Sequence, residues 1–247
     1  MIAVSFGGGV QTTALAILQV HGKVPAPTRL GVMADTRGEK PETYAYLREH
    51  FIPWATRNGF ELVIIERDEL GLYEYAMQRQ MVPSINTRWC TSRFKIDPIN
   101  RWLKQHGASR TEPATIQIGI SADEAQRAKP AKRGRSYVRR TYPLLDLGLT
   151  RQNCLAIIDE EGLPRPPKSG CWFCPYQRKR QWQLLQVEHP DLADKALALE
   201  ANAMARNPLD RLGGYFRLRD LLGGGTQLAF DSLLANDEGC TSGACFL

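Results

Sequence analysis

Ile2-Ala3-Val4-Ser5-Phe6-Gly7-Gly8-Gly9-Val10-Gln11-Thr12-Thr13-Ala14-Leu15-Ala16-Ile17-Leu18 is the stretch that decides the fold. An apolar run, three consecutive glycines and a segment of good helix formers read as strand, loop and helix. Glycines at such a turn let backbone N–H groups approach an anion closely, and the start of the helix adds partial positive charge. Ser5, Gln11, Thr12 and Thr13 can supply further donors from their side chains. No lysine follows the glycines, so a phosphate loop ending in Lys-Ser/Thr does not match. The G-x-G-x-x-G dinucleotide fingerprint fails too, because its third glycine falls on Thr12. A purely structural tight turn is the alternative reading.

Outward from this stretch, apolar runs at 30–34, 60–65 and 115–120 alternate with helical patterns at 41–58, 69–80 and 95–106. That alternation predicts an α/β fold, an open, mainly parallel twisted sheet with helices on both faces, over residues 1–150. Ligands of such sheets bind outside the carboxyl ends of the strands, which places Asp35 and Thr36 beside the glycine loop. Asp35 could hold a ribose hydroxyl or a nucleotide-bound Mg²⁺; alternatively, Asp35 and Thr36 cap a helix. Residues 151–247 read as a helical, Cys-containing extension. It begins with a short helix after Thr150 and a proline-rich connector at 164–167. Cys171-Trp172-Phe173-Cys174 follows, then a helix from 177 to 206 broken near Pro190, and a glycine-punctuated tail carrying Cys240 and Cys245.

With 247 residues, 43% hydrophobic and 23% charged, the chain is neither disordered, collagenous nor a coiled coil. No window approaches the ~20 apolar residues that span a bilayer. The first residues enter a strand rather than a cleavable leader, so a cytoplasmic protein without a membrane partner is expected. The net charge of +6 suggests anionic partners. Seven basic residues crowd 125–140 with no acidic residue among them, and Tyr137 and Tyr142 stand nearby. Such a loop could track a phosphate backbone while the rings stack on bases; the alternative is a solvated charged loop. The four histidines show no ligand spacing. Cys154, followed by Leu155-Ala156-Ile157-Ile158, reads as a buried small hydrophobe. Cys171 and Cys174 form a Cys-x-x-Cys pair in apolar company, which suits zinc, an iron–sulfur cluster or a dithiol redox pair.

Ser5-Phe6-Gly7-Gly8-Gly9-Val10-Gln11-Thr12 resembles a variant PP-loop of the adenine nucleotide alpha-hydrolases. Asp35-Thr36-Arg37-Gly38-Glu39 with Thr43 is similar to the Asp-Thr-Gly segment of the phosphoadenosine phosphosulfate reductases. Arg88 to Pro98, with Cys90, Arg93 and Lys95, resembles those reductases' Cys-Cys-x-x-x-Lys-x-x-Pro region. The stretch from Gly119 to Arg127, with Glu124, resembles their Gly-x-Arg-x-x-Glu-Ser-x-x-Arg segment. The PP-loop usually carries Ser-Gly-Gly-x-Asp-Ser; here Phe6 and an extra glycine intrude and Gln11 replaces the aspartate.

The resemblance implies binding of ATP or an adenylyl-type nucleotide by Ser5, Phe6, Gly7, Gly8, Gly9, Gln11, Thr12, Asp35, Thr36, Gly119, Glu124 and Arg127. ATP would be cleaved between its alpha and beta phosphates to activate a substrate as its adenylate, with Arg93, Lys95, Arg127 and the basic loop neutralising phosphate charge. It also makes Cys90 the third ligand beside Cys171 and Cys174. Three thiolates would leave one iron of a [4Fe–4S] cluster open, as in the similar tRNA thiolation enzymes, or else Cys240 or Cys245 from the tail supplies the fourth ligand. Zn²⁺ is the alternative metal. The leading expectation is a sulfurtransferase acting on a substrate such as nucleic acid, supplied by a sulfur donor. One rival is an adenylyl-sulfate or phosphoadenylyl-sulfate reductase in which Cys240 or Cys245 attacks sulfur and a thiol protein supplies electrons. The other is a zinc-stabilised nucleic-acid-binding module.

Overall fold

The computed structural model describes residues 1–67, 69–128 and 137–223. β1 (Ile2–Ser5) is the central strand of five, with Ala3 and Val4 fully buried as expected of a strand covered on both faces. It pairs in parallel with β2 (Leu30–Asp35) on one side and β4 (Ala114–Ile118) on the other. β3 (Glu61–Glu66) lies outside β2 and β5 (Val138–Thr141) outside β4, giving the all-parallel order β3-β2-β1-β4-β5. Ser5 is in register with both Val32 and Ile118, so the strands end on one common edge. The chain builds from β1 through β2 to β3, then returns to the far side of β1, which puts the topological switch point between β1 and β4.

α1 (Val10–Val20) runs back from the glycine loop and packs on α8 (Arg151–Glu160), burying Ala14, Leu15, Cys154 and Ile158 together with Phe51 and Trp54. The Thr150 hydroxyl accepts from the Asn153 N–H at 3.3 Å and caps α8. A second layer joins Val32, Ile116 and Ile118 to Leu103 on α6 (Asp97–Gln105). A third cluster packs α4 (Leu72–Gln78) and Phe94 against α9 (Lys179–Glu188), α10 (Pro190–Arg206) and α11 (Leu218–Leu222), with Trp172, Phe173 and Trp182 in its interior. Packing therefore crosses residue 150 in both directions, α8 joining the first core and α4 the third. Glu200 on α10 is buried and accepts from the Leu212 and Leu218 N–H groups at 2.9 and 2.7 Å, fastening the segment before α11.

Two helical stretches depart from the simple pattern. The segment 41–58 forms α2 (Pro41–Tyr46) and α3 (Ile52–Arg57) joined by a π-helical turn, Leu47–Phe51. A second π turn, Ser92–Ile96, links the short α5 (Trp89–Thr91) to α6. Each wide turn precedes a proline, Pro53 or Pro98, whose ring would collide with a carbonyl of a regular preceding turn. Within the stretch read as a basic loop, Val138–Thr141 is instead the edge strand β5, its arginines Arg139 and Arg140 exposed on the rim. Lys129, Lys132, Arg133 and Arg135 lie outside the described residues. No helix among the described residues is long and apolar enough to cross a membrane.

Candidate nucleotide and cysteine site

Gly7, Gly8 and Gly9 turn the chain from β1 into α1 at the carboxyl edge of the sheet. The Thr12 hydroxyl gathers this loop, accepting from the N–H groups of Gly7 and Gly9 at 3.3 Å each and donating to the Gly9 carbonyl at 3.1 Å. Gly8 has φ +71°, a left-handed conformation, and a Cβ there would stand 3.2 Å from Thr43 Cγ2. A Cβ on Gly119, at the end of β4, would lie 3.1 Å from Thr12 Cγ2 and 3.2 Å from the Thr12 amide nitrogen. The loop is thus seated tightly in the crevice between β1 and β4. Phe6 is buried and stacks on Phe51 at 4.2 Å, anchoring the loop from beneath rather than facing the crevice. Ser5 ends β1.

Gln11 lies across the crevice. Its amide nitrogen donates to Glu124 Oε2 at 3.2 Å and to Ser121 Oγ at 3.5 Å, and its amide oxygen accepts from Arg151 Nη1 at 3.2 Å. Arg127 pairs with Glu124 at 2.5 Å, and the Arg151 N–H donates to Asp123. Gln11, Glu124 and Arg127 thus meet, and Arg151, which sequence reasoning missed, joins them from the first residue of α8.

Asp35 ends β2. One of its carboxylate oxygens, Oδ1, accepts from the Arg37 N–H and the Tyr44 hydroxyl, both at 2.7 Å. Burial, then the Asp35 charge, raise the Tyr44 pKa far above that of a free phenol, so its hydroxyl remains a donor. Asp35 Oδ2 takes no hydrogen bond among the described residues. Thr36 faces the other way: its buried hydroxyl accepts from the Gly38 N–H at 3.2 Å and lies 3.4 Å from Cys171 Sγ.

The loop carrying Cys171 and Cys174 is laid against this same strand end. Trp172 N–H donates to the Gly38 carbonyl at 2.9 Å, and Glu39 and Cys171 form an isolated antiparallel bridge. A Cβ on Gly38 would meet the buried Phe173 ring at 2.9 Å, and a Cβ on Gly9 would meet Ser169 Oγ at 2.7 Å. Tyr73, Trp172 and Phe173 pack ring to ring around the loop, with centroids 4.4 to 5.9 Å apart.

Glu39, also missed by sequence reasoning, is buried. Its Oε1 accepts from Lys95 Nζ at 3.3 Å, whereas Oε2 has no partner among the described residues. The Cys171 thiol is pushed up to about 12, by burial first and then by the Glu39 charge, with Lys95 opposing. Burial also raises the Cys90 thiol, opposed by hydrogen bonds from Thr91 and by Lys95, and the Cys90 charge adds a small part to the rise at Cys171. Cys90 and Cys171 pack against the same apolar cluster and both feel the Lys95 charge, and Cys174 follows one turn on, its N–H donating to the Cys171 carbonyl at 3.1 Å.

The donor set is soft sulfur, suited to zinc or iron–sulfur ligation. The sulfurs of Cys90, Cys171 and Cys174 do not all lie within 4.8 Å of one another. A single tetrahedral zinc, with Zn–S of about 2.3 Å, would require them closer. Arg93, two residues from Lys95, turns away from the pocket and donates to the Tyr75 hydroxyl. His189, with Glu42 and Glu188, forms a separate surface group whose ligand atoms lie within 4.8 Å of one another; the Glu42 contact crosses from α2 and is invisible to residue spacing. Cys240 and Cys245 lie outside the described residues.

No family model and no curated protein matches the chain. Among solved structures, it is similar to the U34-tRNA thiolase NcsA from Methanococcus maripaludis with its [4Fe-4S] cluster, at a TM-score of 0.47 and 15% identity, over 82% of this chain and 71% of that one. At that identity no residue correspondence follows from the likeness. The site stands on the contacts of this chain alone.

Proposed function

We propose that this chain is an ATP-dependent sulfurtransferase of the PP-loop type, which adenylates an oxygen of its substrate and replaces that oxygen with sulfur. One observation carries the reading: the cysteine loop sits on the nucleotide crevice itself, Ser169 against Gly9 and Phe173 against Gly38. In this reading the N–H groups of Gly7–Gly9 and the start of α1 hold the phosphates, and Asp35 Oδ2 takes a ribose hydroxyl or a nucleotide-bound Mg²⁺. Arg127 and Arg151, steadied by Glu124 and Gln11, and Lys95 from the cysteine side, stabilise charge as pyrophosphate leaves the alpha phosphorus. A sulfur nucleophile then displaces AMP, which carries away the substrate oxygen. Cys90, Cys171 and Cys174 would hold a [4Fe–4S] cluster, which supplies an open iron to carry sulfur. The buried Glu39 carboxylate, pairing with Lys95, holds that ammonium near the thiols. The basic excess of the chain favours a nucleic-acid substrate.

The test is anaerobic purification with iron, acid-labile sulfide and zinc analysis on one sample, followed by an assay for pyrophosphate released from ATP. The expected result is a brown protein with iron and sulfide in near-equal amounts that forms pyrophosphate with its substrate. A colourless protein with stoichiometric zinc and no pyrophosphate would overturn it. An adenylyl-sulfate reductase would release no pyrophosphate either, but would reduce the sulfated nucleotide.

A further inference from the structure

Arg37, Arg48, Arg127 and Arg165 each pair with a carboxylate. A different arrangement surrounds Tyr75. The guanidinium carbons of Arg67, Arg79 and Arg93 lie 5.2, 5.7 and 5.7 Å from the centre of its ring, and Arg67 also lies 4.8 Å from that of Phe94. Arg93 donates to the Tyr75 hydroxyl, and Arg206, from the end of α10, donates to the Arg79 carbonyl at 2.9 Å. Arg79, Arg93 and Arg206 are exposed, and among the described residues none of the three has a carboxylate partner. Like charges gathered at one surface point repel each other, a cost that an anion among them reverses. A guanidinium over an aromatic face, as that of Arg79 is, keeps in-plane N–H donors for a phosphate, and Arg93 and Arg206 each spend one N–H on the contacts above and retain the others.

The position of this cluster adds direction. The Trp89 ring lies tilted beside Tyr75, centroids 5.8 Å apart, and belongs to the residue before Cys90, and Arg93 follows Cys90 by three. Through Trp89 and Arg93 the charged face is joined to the segment that carries Cys90. Several exposed guanidiniums side by side suit the successive phosphates of a strand better than one small nucleotide.

We propose that the Arg79–Arg93–Arg206 face around Tyr75 is the docking surface for the phosphodiester backbone of a single-stranded nucleic-acid segment. It rests on the sulfur-transfer reading for what the strand is brought to, but not for the binding itself. The experiment measures fluorescence anisotropy of a labelled, unstructured 20-nucleotide RNA with the full chain, purified anaerobically, across a salt series. The Arg79→Gln/Arg206→Gln variant should bind more than about tenfold more weakly. The slope of log affinity against log salt should also fall by about 1.4, the share of two phosphate contacts on a single strand. A control pair, Arg48→Gln/Arg165→Gln, removes the same net charge elsewhere and should shift affinity less than twofold. Thermal melting of each variant reports its folding, and single Arg79→Gln and Arg206→Gln variants give the readout if the double variant does not fold.

Equal weakening by the control pair, an unchanged salt slope, or no RNA binding by the unaltered chain would overturn the inference. A chain that holds iron and releases pyrophosphate but binds no RNA would sink the docking surface while leaving the sulfur-transfer reading standing. RNA binding lost through these arginines in a chain without iron would do the reverse.

Discussion

Cys154 and Cys171 have thiols raised to about the same value, near 12, and burial is the first cause in each. Their surroundings differ. Cys154 is enclosed between α8 and α1 by Leu15, Ile158 and their neighbours, where it fills volume. Cys171 lies against the Thr36 hydroxyl, the half-partnered Glu39 carboxylate and, through it, Lys95, on the edge where the strands end. A perturbed thiol alone therefore does not mark a site. What distinguishes the two is whether polar groups wait beside the sulfur with bonding capacity unspent.

The sharpest break of this comparison is replacement of each cysteine. Cys171→Ala should abolish the visible chromophore and bound iron, whereas Cys154→Ala should keep both; equal iron in the two variants would erase the distinction. Gly38→Ala comes next, because its added methyl meets the fully buried Phe173 ring, which has no room to retreat. It should reduce bound iron by half or more with an unchanged far-ultraviolet circular dichroism spectrum. An iron content equal to that of the unaltered chain would mean that the cysteine loop is not held by this seam.

A smaller effect is expected from the charges beside each sulfur. In the metal-free chain, Glu39→Gln should speed alkylation of Cys171 several-fold by removing a charge that disfavours the thiolate. Asp123→Asn, the equivalent change near Cys154, should leave that thiol unlabelled, since packing excludes the reagent. Peptide mass mapping reads both, and labelling of Cys154 in the folded chain would contradict its place in the core.

The smallest effect is on stability against pH. The folded thiol of Cys154 ionises near 12 and an unfolded thiol near 9, so its contribution is fully present below pH 9 and is lost as pH rises toward 12. In metal-free chains between pH 9 and 11, unfolding free energy should therefore fall less steeply for Cys154→Ala, by up to about 1.4 kcal/mol per pH unit. The same truncation should cost about 1–2 kcal/mol at neutral pH by opening a small cavity. Parallel slopes in urea titrations would refute the assignment.

The strand, glycine loop and first helix were legible in the sequence because each depends on neighbours a few residues away. So was Cys154, whose apolar successors on one helix announce a core. β5 was not, since Arg139 and Arg140 hide a strand that only its pairing with β4 makes visible. Nor could the chain order reveal Glu39 or Arg151, ordinary charged residues until Cys171 and Gln11 are brought beside them. Arg93 and Lys95 read alike in sequence. The turn between them sends one to Tyr75 and the other to Glu39.

The central strand is also the first of the five in chain order. β1 can pair with β2 early, but its other edge must stay open until Gln117 and its neighbours arrive, and the seam between Ser169 and Gly9 closes later still. Long-range parallel pairing of this kind is slow and leaves an unprotected strand edge while it waits. A nascent chain halted before residue 114 would therefore expose that edge and aggregate. A chain halted between the end of β5 and Ser169 would have all five strands and a formed glycine loop, but no cysteine loop to cover it.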